Sequence, residues 1–533
     1  MSADPVSAKV IIVGSGPAGT FAAFQLRGRD VLILDVGYTP SKSTVSGNLY
    51  DLRRNPGTNE ADVFDELIGA AFESLHNVFH AYLSPKLKAP LMRFVTRDAE
   101  TLSPLVAHNF DAAVSFAAGG LANAWGAGLY RFTTRDLAGF PIAPEDLDPY
   151  YDVITAKVGI NGTDDDLSQF FGSFRGLQPP LNLDSNGSTM LRRYARHRGR
   201  LNRLGLFLGR PRLAVLTREH DGRDTYGYDA REFFRPDNPG VYTPTYTLDE
   251  MVRRGEIGYE PGLLVERYLE TDGGVTVSAR ECATGVARTF RCSRLILAAG
   301  ALNTAKIVLQ SNDDYAARLP LLDNNISYVP LLDAMRIGAA LEKQVYPGAV
   351  LNGVYSGDVH PAVIQMTLYG VTGALRSDYL FDFPFSVRGN IAGAKYLAPA
   401  MTIVQLFYPD APAPTNWLRL GEDGRLELHY ESKGLGTLEA HLLRMFRRMG
   451  YLGAARFCKY LTPGNSFHYG GSLPMTAVPS DRYQTDRYGL LAGTRRVYVA
   501  DAANFSALPS KNHTFTVMAN AMRVAKCVEA TLG

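Results

Sequence analysis

The chain has 533 residues with 46% hydrophobic and 20% charged residues and a net charge of +2. That length exceeds one compact core and implies two domains, while the near-neutral charge gives no electrostatic case for a nucleic-acid partner. The four cysteines, Cys282, Cys292, Cys458 and Cys527, have neither C-x-x-C nor metal-ligand spacing, so reduced thiols, a cytoplasmic setting and no metal site are expected.

The first predicted element is an apolar strand at residues 10–13, followed by G-S-G-P-A-G. No basic n-region or cleavage site precedes it, and no apolar run reaches the ~18 residues of a membrane span. Gly14, Gly16 and Gly19 form G-x-G-x-x-G at the turn into a helix, and a second apolar strand, 31–34, ends on Asp35, 21 residues after Gly14. This is the dinucleotide-binding spacing. The first glycine allows the turn, the second lets backbone approach a pyrophosphate, and the third lets the helix pack on the strand. The helix N-terminus offers N–H groups to phosphate. Asp35 favours a free ribose hydroxyl, as in FAD or NAD, over a 2′-phosphate.

Residues 60–95 are helical in composition and end in mixed basic and apolar side chains. They read either as a lid or membrane-surface segment or, more plainly, as a packed surface helix pair. The stretch 113–132 is dominated by small residues, among them Gly119, Gly120 and Ala124, as suits backbone lining a large flat cofactor. A helix is expected at 146–159. The Arg-rich region 167–238 leaves the nucleotide-binding part, its cluster at 192–203 reading either as a site for an acidic substrate or, more plainly, as a solvated helix face.

A short helix is expected at 248–255, then strands at 264–269, 275–279 and 289–292 as a meander. A buried strand at 295–298, the turn Ala299-Gly300 and a helix at 302–309 make a second strand-glycine-helix unit. Between 313 and 463, strand-like runs at 363–368, 385–388, 401–408 and 426–430, with a helix at 437–449, read as an antiparallel sheet with helices. The last part holds N-S-F-H-Y-G-G with His468, a strand at 497–500 ending on Asp501, and S-K-N-H-T with Asn512 and His513 before a small-residue helix.

Four of these blocks together resemble the glucose-methanol-choline (GMC) FAD-dependent oxidoreductases: the first glycine turn with Asp35, G-G-L-A-N-A-W-G at 119–126, L-I-L-A-A-G-A-L-N-T-A at 295–305, and the region from His468 to Arg523. The 119–126 segment is nearest in form to pyranose oxidase and the bacterial sugar-acid dehydrogenases. The resemblance implies an α/β fold: a Rossmann-like FAD-binding domain, parallel sheet plus β-meander, with an inserted α+β substrate domain on an antiparallel sheet. It implies domain ranges of 1–166, 239–312 and 464–533 for FAD, and 167–238 with 313–463 for substrate.

The same resemblance implies FAD bound through Gly14, Gly16, Gly19, Asp35, Ala299, Gly300, Asp501 and Ala502, with Gly119, Gly120, Asn123 and Ala124 along the flavin. Ala124 stands where pyranose oxidase has a flavin-linked histidine, which implies non-covalent FAD. His468 is implied as the base, with Asn512 or His513 as its partner. The implied activity is oxidation of an alcohol (a sugar, polyol or hydroxylated secondary metabolite) to a carbonyl, by hydride transfer to flavin N5. The implied partners are that small-molecule substrate and O2 or another electron acceptor. The alternatives are a non-redox lyase on the same fold, like the family's hydroxynitrile lyases, and a flavin-binding protein without catalysis. The 28 Tyr and 26 Phe would equally suit a bulky apolar alcohol.

Overall fold

The computed structural model describes residues 6–43, 65–66, 69–70, 85–228, 235–340, 342, 345–371, 385–432 and 436–532. β1 (Val6–Val13) and β2 (Val31–Leu34) flank α1 (Pro17–Leu26). The inner half of β1 and all of β2 are buried, so they read as continuous apolar runs without alternation. α2 (Asp148–Val158) and α3 (Ser185–Arg203) follow; Asp184 caps α3 by accepting the Gly187 N–H at 2.6 Å. On α3, Arg198 pairs with Asp166 and Arg193 with Asp333, and most of the remaining arginines face solvent.

Next come β3 (Leu206–Gly209), α4 (Pro244–Arg253), β4 (Gly258–Glu260), β5 (Leu263–Thr271), β6 (Gly274–Glu281), β7 (Ala287–Leu297) and α5 (Ala301–Ser311). They are followed by β8 (Ile326–Leu332), β9 (Leu351–Tyr355), β10 (Ile364–Gly370), α6 (Val387–Tyr396), β11 (Met401–Phe407) and α7 (Leu438–Arg448). β12 (Lys459–Tyr460), β13 (Val497–Val499) and α8 (Thr514–Ala530) follow. The strand expected at 426–430 is Leu426–His429, which lies in a separate four-stranded sheet beside Trp417–Leu420 and parallel to Leu105–His108, not in the antiparallel sheet expected for 313–463.

The first sheet has the order β4-β2-β1-β7-β6-β5, with β13 added beside β7. β4, β2, β1, β7 and β13 pair in parallel, and β5, β6 and β7 form an antiparallel meander. β7 therefore belongs to both patterns. Its residues 287–292 pair with β6 and 295–297 with β13, while β1 runs along it. The two strands expected at 289–292 and 295–298 are this one strand. Its burial changes from alternating to continuous where its partners change, and that change of pattern reads as a break in sequence. α1 packs against α8.

The second sheet is antiparallel, in the order β12-β8-β11-β10-β9-β3. Val329, Val404, Leu406, Met366 and Leu368 on one face pack with Leu442 and Phe446 of α7 and Met190 of α3. The other face looks into a large cavity. The strand expected at 385–388 is instead the start of α6: Ser386 Oγ accepts the Gly389 N–H at 3.3 Å as its N-cap, and local capping outweighs the β-propensity of the short run. The mixed α/β architecture, with a parallel sheet and a separate antiparallel one, is the expected fold class. Most of the 60–95 segment lies outside the described residues; its end forms a short helix, Pro85–Lys88, and a 3₁₀ turn, Pro90–Val95. Among the described residues no helix is long and apolar enough to cross a membrane.

Candidate active site

A single cavity of about 1630 Å3 runs between the glycine turn after β1 and the inner face of the second sheet. It exceeds the ~300–1,000 Å3 of ordinary small-molecule pockets. Gly14, Gly16, Asp35, Gly120, Ala124, Ala299, Gly300, His468, Asp501, Ala502, Asn512 and His513 all line it. Gly19, Gly119 and Asn123 do not.

At the glycine turn, Gly14 has φ +94°, and a Cβ there would lie 2.6 Å from Ala298 O. Gly19 lies beneath the turn against Gly14. Gly16 precedes α1 without any side-chain cap, with Pro17 in the first turn, so the helix N–H groups are left for a ligand. Across from it Gly120, with φ +61°, approaches so closely that a Cβ would lie 3.2 Å from Gly16 Cα.

Ser15, which no motif flags, links three of these pieces. Its hydroxyl donates to Asp35 and accepts the Gly119 N–H at 3.2 Å. The Tyr259 hydroxyl also donates to Asp35, at 3.4 Å. Burial pushes the Asp35 carboxyl up to about 6 against these donors. Asn123, expected along the flavin, turns away: its amide donates to Ala118 O and Gly120 O, both at 2.8 Å, and pins the turn that carries Gly120. Asp501 also acts through others. It accepts the Gly300 N–H at 2.8 Å, the Thr304 hydroxyl at 2.6 Å and the Ala503 N–H at 2.9 Å, fixing the second glycine turn at the start of α5. Burial raises its carboxyl to about 6.

At the other end the rings of His468 and His513 meet edge to face, with centroids 5.0 Å apart. His468 follows Phe467, whose φ of +58° is a left-handed conformation seldom taken by a bulky residue. His468 stacks on Phe407 at 5.2 Å, and His513 meets Phe505 at 5.9 Å. The Nδ1 atoms of both rings are buried with no hydrogen-bond partner among the described residues. Burial, with the neighbouring His513, holds His468 well below the usual imidazole range, and burial lowers His513 to about 4. Both rings are therefore neutral at pH 7. Asn512 is held in a two-point contact: its Oδ1 accepts from Gln365 Nε2 at 3.1 Å and its N–H donates to Gln365 Oε1 at 3.3 Å. His513 is thus the residue in ring contact with His468, and Asn512 is tied to the second sheet.

No protein-family model and no curated protein matches this sequence. Among solved structures, pyridoxine 4-oxidase from Mesorbium loti is similar, with a TM-score of 0.59 over 98% of this chain and 99% of that one, at 13% sequence identity. The likeness is one of fold.

Proposed function

We propose that this chain is an FAD-dependent oxidoreductase that converts an alcohol to a carbonyl. The observation that carries the reading is the pairing, in one cavity, of an uncapped glycine-turn helix with two buried imidazoles whose Nδ1 atoms lack partners among the described residues. Unpaired buried polar atoms are costly, and such groups cluster where a ligand or a reaction uses them. The fold likeness to an oxidase supports the same reading.

The residues fit FAD. The first turn of α1 would receive the pyrophosphate, Asp35 the adenosine ribose, and the Gly120 turn, pinned by Asn123, would lie along the isoalloxazine. Ala124 carries no nucleophile, so FAD would be held there without a covalent bond. In this reading residues 1–166, 239–312 and 464–533 form the FAD-binding unit, and 167–238 with 313–463 the substrate unit.

Bound there, the isoalloxazine supplies the acceptor for a hydride from the alcohol carbon. The chain handles the proton. One imidazole nitrogen of His468 takes the hydroxyl proton as the carbon–oxygen double bond forms. His513 donates a hydrogen bond to the developing alkoxide. Low dielectric keeps both rings uncharged, as a base and a neutral donor require. Anaerobic mixing with alcohols tests this: the yellow flavin bleaches in the wild type and about 10²–10⁴-fold more slowly in His468→Ala. Flavin that no alcohol bleaches points instead to a non-redox role.

A further inference from the structure

Cross-strand partners in the second sheet fall into rows, and the members of a row share a face. The row nearest the histidines pairs Phe407, which stacks on His468, with Gln365, which holds Asn512. Two residues along the strands, about 7 Å away, runs a polar row. Lys459 stands opposite Tyr328, Tyr328 opposite Gln405, Gln405 opposite Thr367, and Thr367 opposite Asn352. The first four line the cavity; Asn352 donates at 2.7 Å to Tyr130, which lines it too. The next row is apolar, with Pro330, Ile403 and the ring of Tyr369.

The Gln405 amide and the Thr367 hydroxyl are half-buried and make no side-chain hydrogen bond among the described residues. Neither group is taken up by a protein side chain, so each is left to bond cavity water or a ligand that displaces it. The carboxylates that line the cavity, Asp35, Glu266 and Asp501, belong to the first sheet or the turn after β13. Among the described residues the wall over the histidines presents none.

Resting on the alcohol-oxidation reading, we propose that the substrate is an aromatic alcohol. Its ring lies against Phe407, and a hydrogen-bonding group on the ring is received one row further along by Gln405 and Thr367. A sugar carries hydroxyls on every side and would press several of them, unpaired, against the apolar rows. The row therefore favours an aryl alcohol over the sugars and polyols that the sequence resemblance pointed to.

The test is anaerobic stopped-flow bleaching of the flavin-loaded protein by benzyl alcohol, 4-hydroxybenzyl alcohol, 4-methylbenzyl alcohol, D-glucose and glycerol. In the wild type the hydroxyl compound should half-saturate at about tenfold lower concentration than its methyl isostere, as one extra hydrogen bond implies. Gln405→Leu and Thr367→Val should each reduce that ratio towards one, bleaching by benzyl alcohol reporting that each variant is folded and loaded. A ratio near one in the wild type, or one that survives both replacements, overturns the polar row as a specificity element. Bleaching by glucose or glycerol but by no aryl alcohol overturns the aromatic assignment and leaves alcohol oxidation standing. Bleaching by none of the five overturns both.

Discussion

Ser466 Oγ accepts the amide N–H of His468 at 2.8 Å while donating its own proton to Asp323 Oδ1 at 2.5 Å. The other oxygen of Asp323 accepts the Gly464 N–H at 2.9 Å. The turn that presents His468 thus hangs from one fully buried carboxyl, which burial raises to about 7. Ser466→Ala removes one tether and is expected to slow flavin reduction about tenfold, as the loss of one hydrogen bond implies. Flavin content should be unchanged, and Ser466→Thr should restore the rate. A variant that loses flavin in step with rate would refute the positioning role.

His513 gives stability a pH dependence of known sign. Its folded value is about 4, against ~6.5 in the unfolded chain. Between those values the unfolded chain binds a proton that the folded one refuses. The contribution is therefore complete above about pH 6.5 and is lost as pH falls towards 4, a change on the order of 3 kcal/mol. Asp35 and Asp501, raised to about 6, act in the opposite sense, but they are common to wild type and His513→Gln. Denaturant unfolding of the two proteins at pH 7 and pH 4.5 should show a larger acid loss in the wild type. Equal losses would contradict a buried neutral His513.

The acid limb of flavin reduction should lie well below pH 6.5, because His468 is also held neutral by burial and by its neighbour. A pH profile of the reduction rate with one alcohol checks this. A limb at or above 6.5 would mean that the imidazoles are solvated.

Lys511, next to Asn512, is buried at 2% exposure. Its ammonium pairs with Asp136 and donates to the carbonyls of Phe170 and, at 3.1 Å, Arg131. Lys511→Met leaves Asp136 buried without its cation, which costs about 3–5 kcal/mol. Thermal unfolding should register this as a clear drop in Tm, and Asp136→Asn in the same background should recover part of it. A Tm within a degree of wild type would show that water reaches the pair.

Gly120→Ala places a methyl 3.2 Å from Gly16 Cα at a φ of +61°. It should force the two turns apart. The expected result is an apoprotein destabilised by about 1 kcal/mol whose flavin affinity falls at least tenfold, read by fluorescence titration. Affinity equal to wild type would detach the Gly120 turn from the cofactor.

Local chemistry was readable where the chain is self-sufficient. β2 has the bounds that its apolar run gives, and the turns at Gly14 and Gly300 follow from glycines that must take positive φ. The site's supports were not readable, because they are assembled from afar. Gln365 reaches Asn512 across 147 positions, and Ser466 reaches Asp323 across 143. Phe407, Gln405 and Ile403 sit on a largely buried strand, so little in M-T-I-V-Q-L-F separates a wall of a cavity from the inside of a core. The direction of Asn123 is not legible either, since a short amide serves its own backbone as readily as a ligand.

The double membership of β7 has a consequence during synthesis. Its Leu295-Ile296-Leu297 edge is closed only by β13, about 200 residues further along the chain. At ~5–20 residues per second, that edge stays bare for roughly 10–40 s. An uncovered apolar strand edge is a template for wrong pairing, so the growing chain is a natural client for chaperones over that interval. His513 emerges only after β13. The glycine turn near the start of the chain is thus made early, and the histidine pair is the last part of the cavity to be completed.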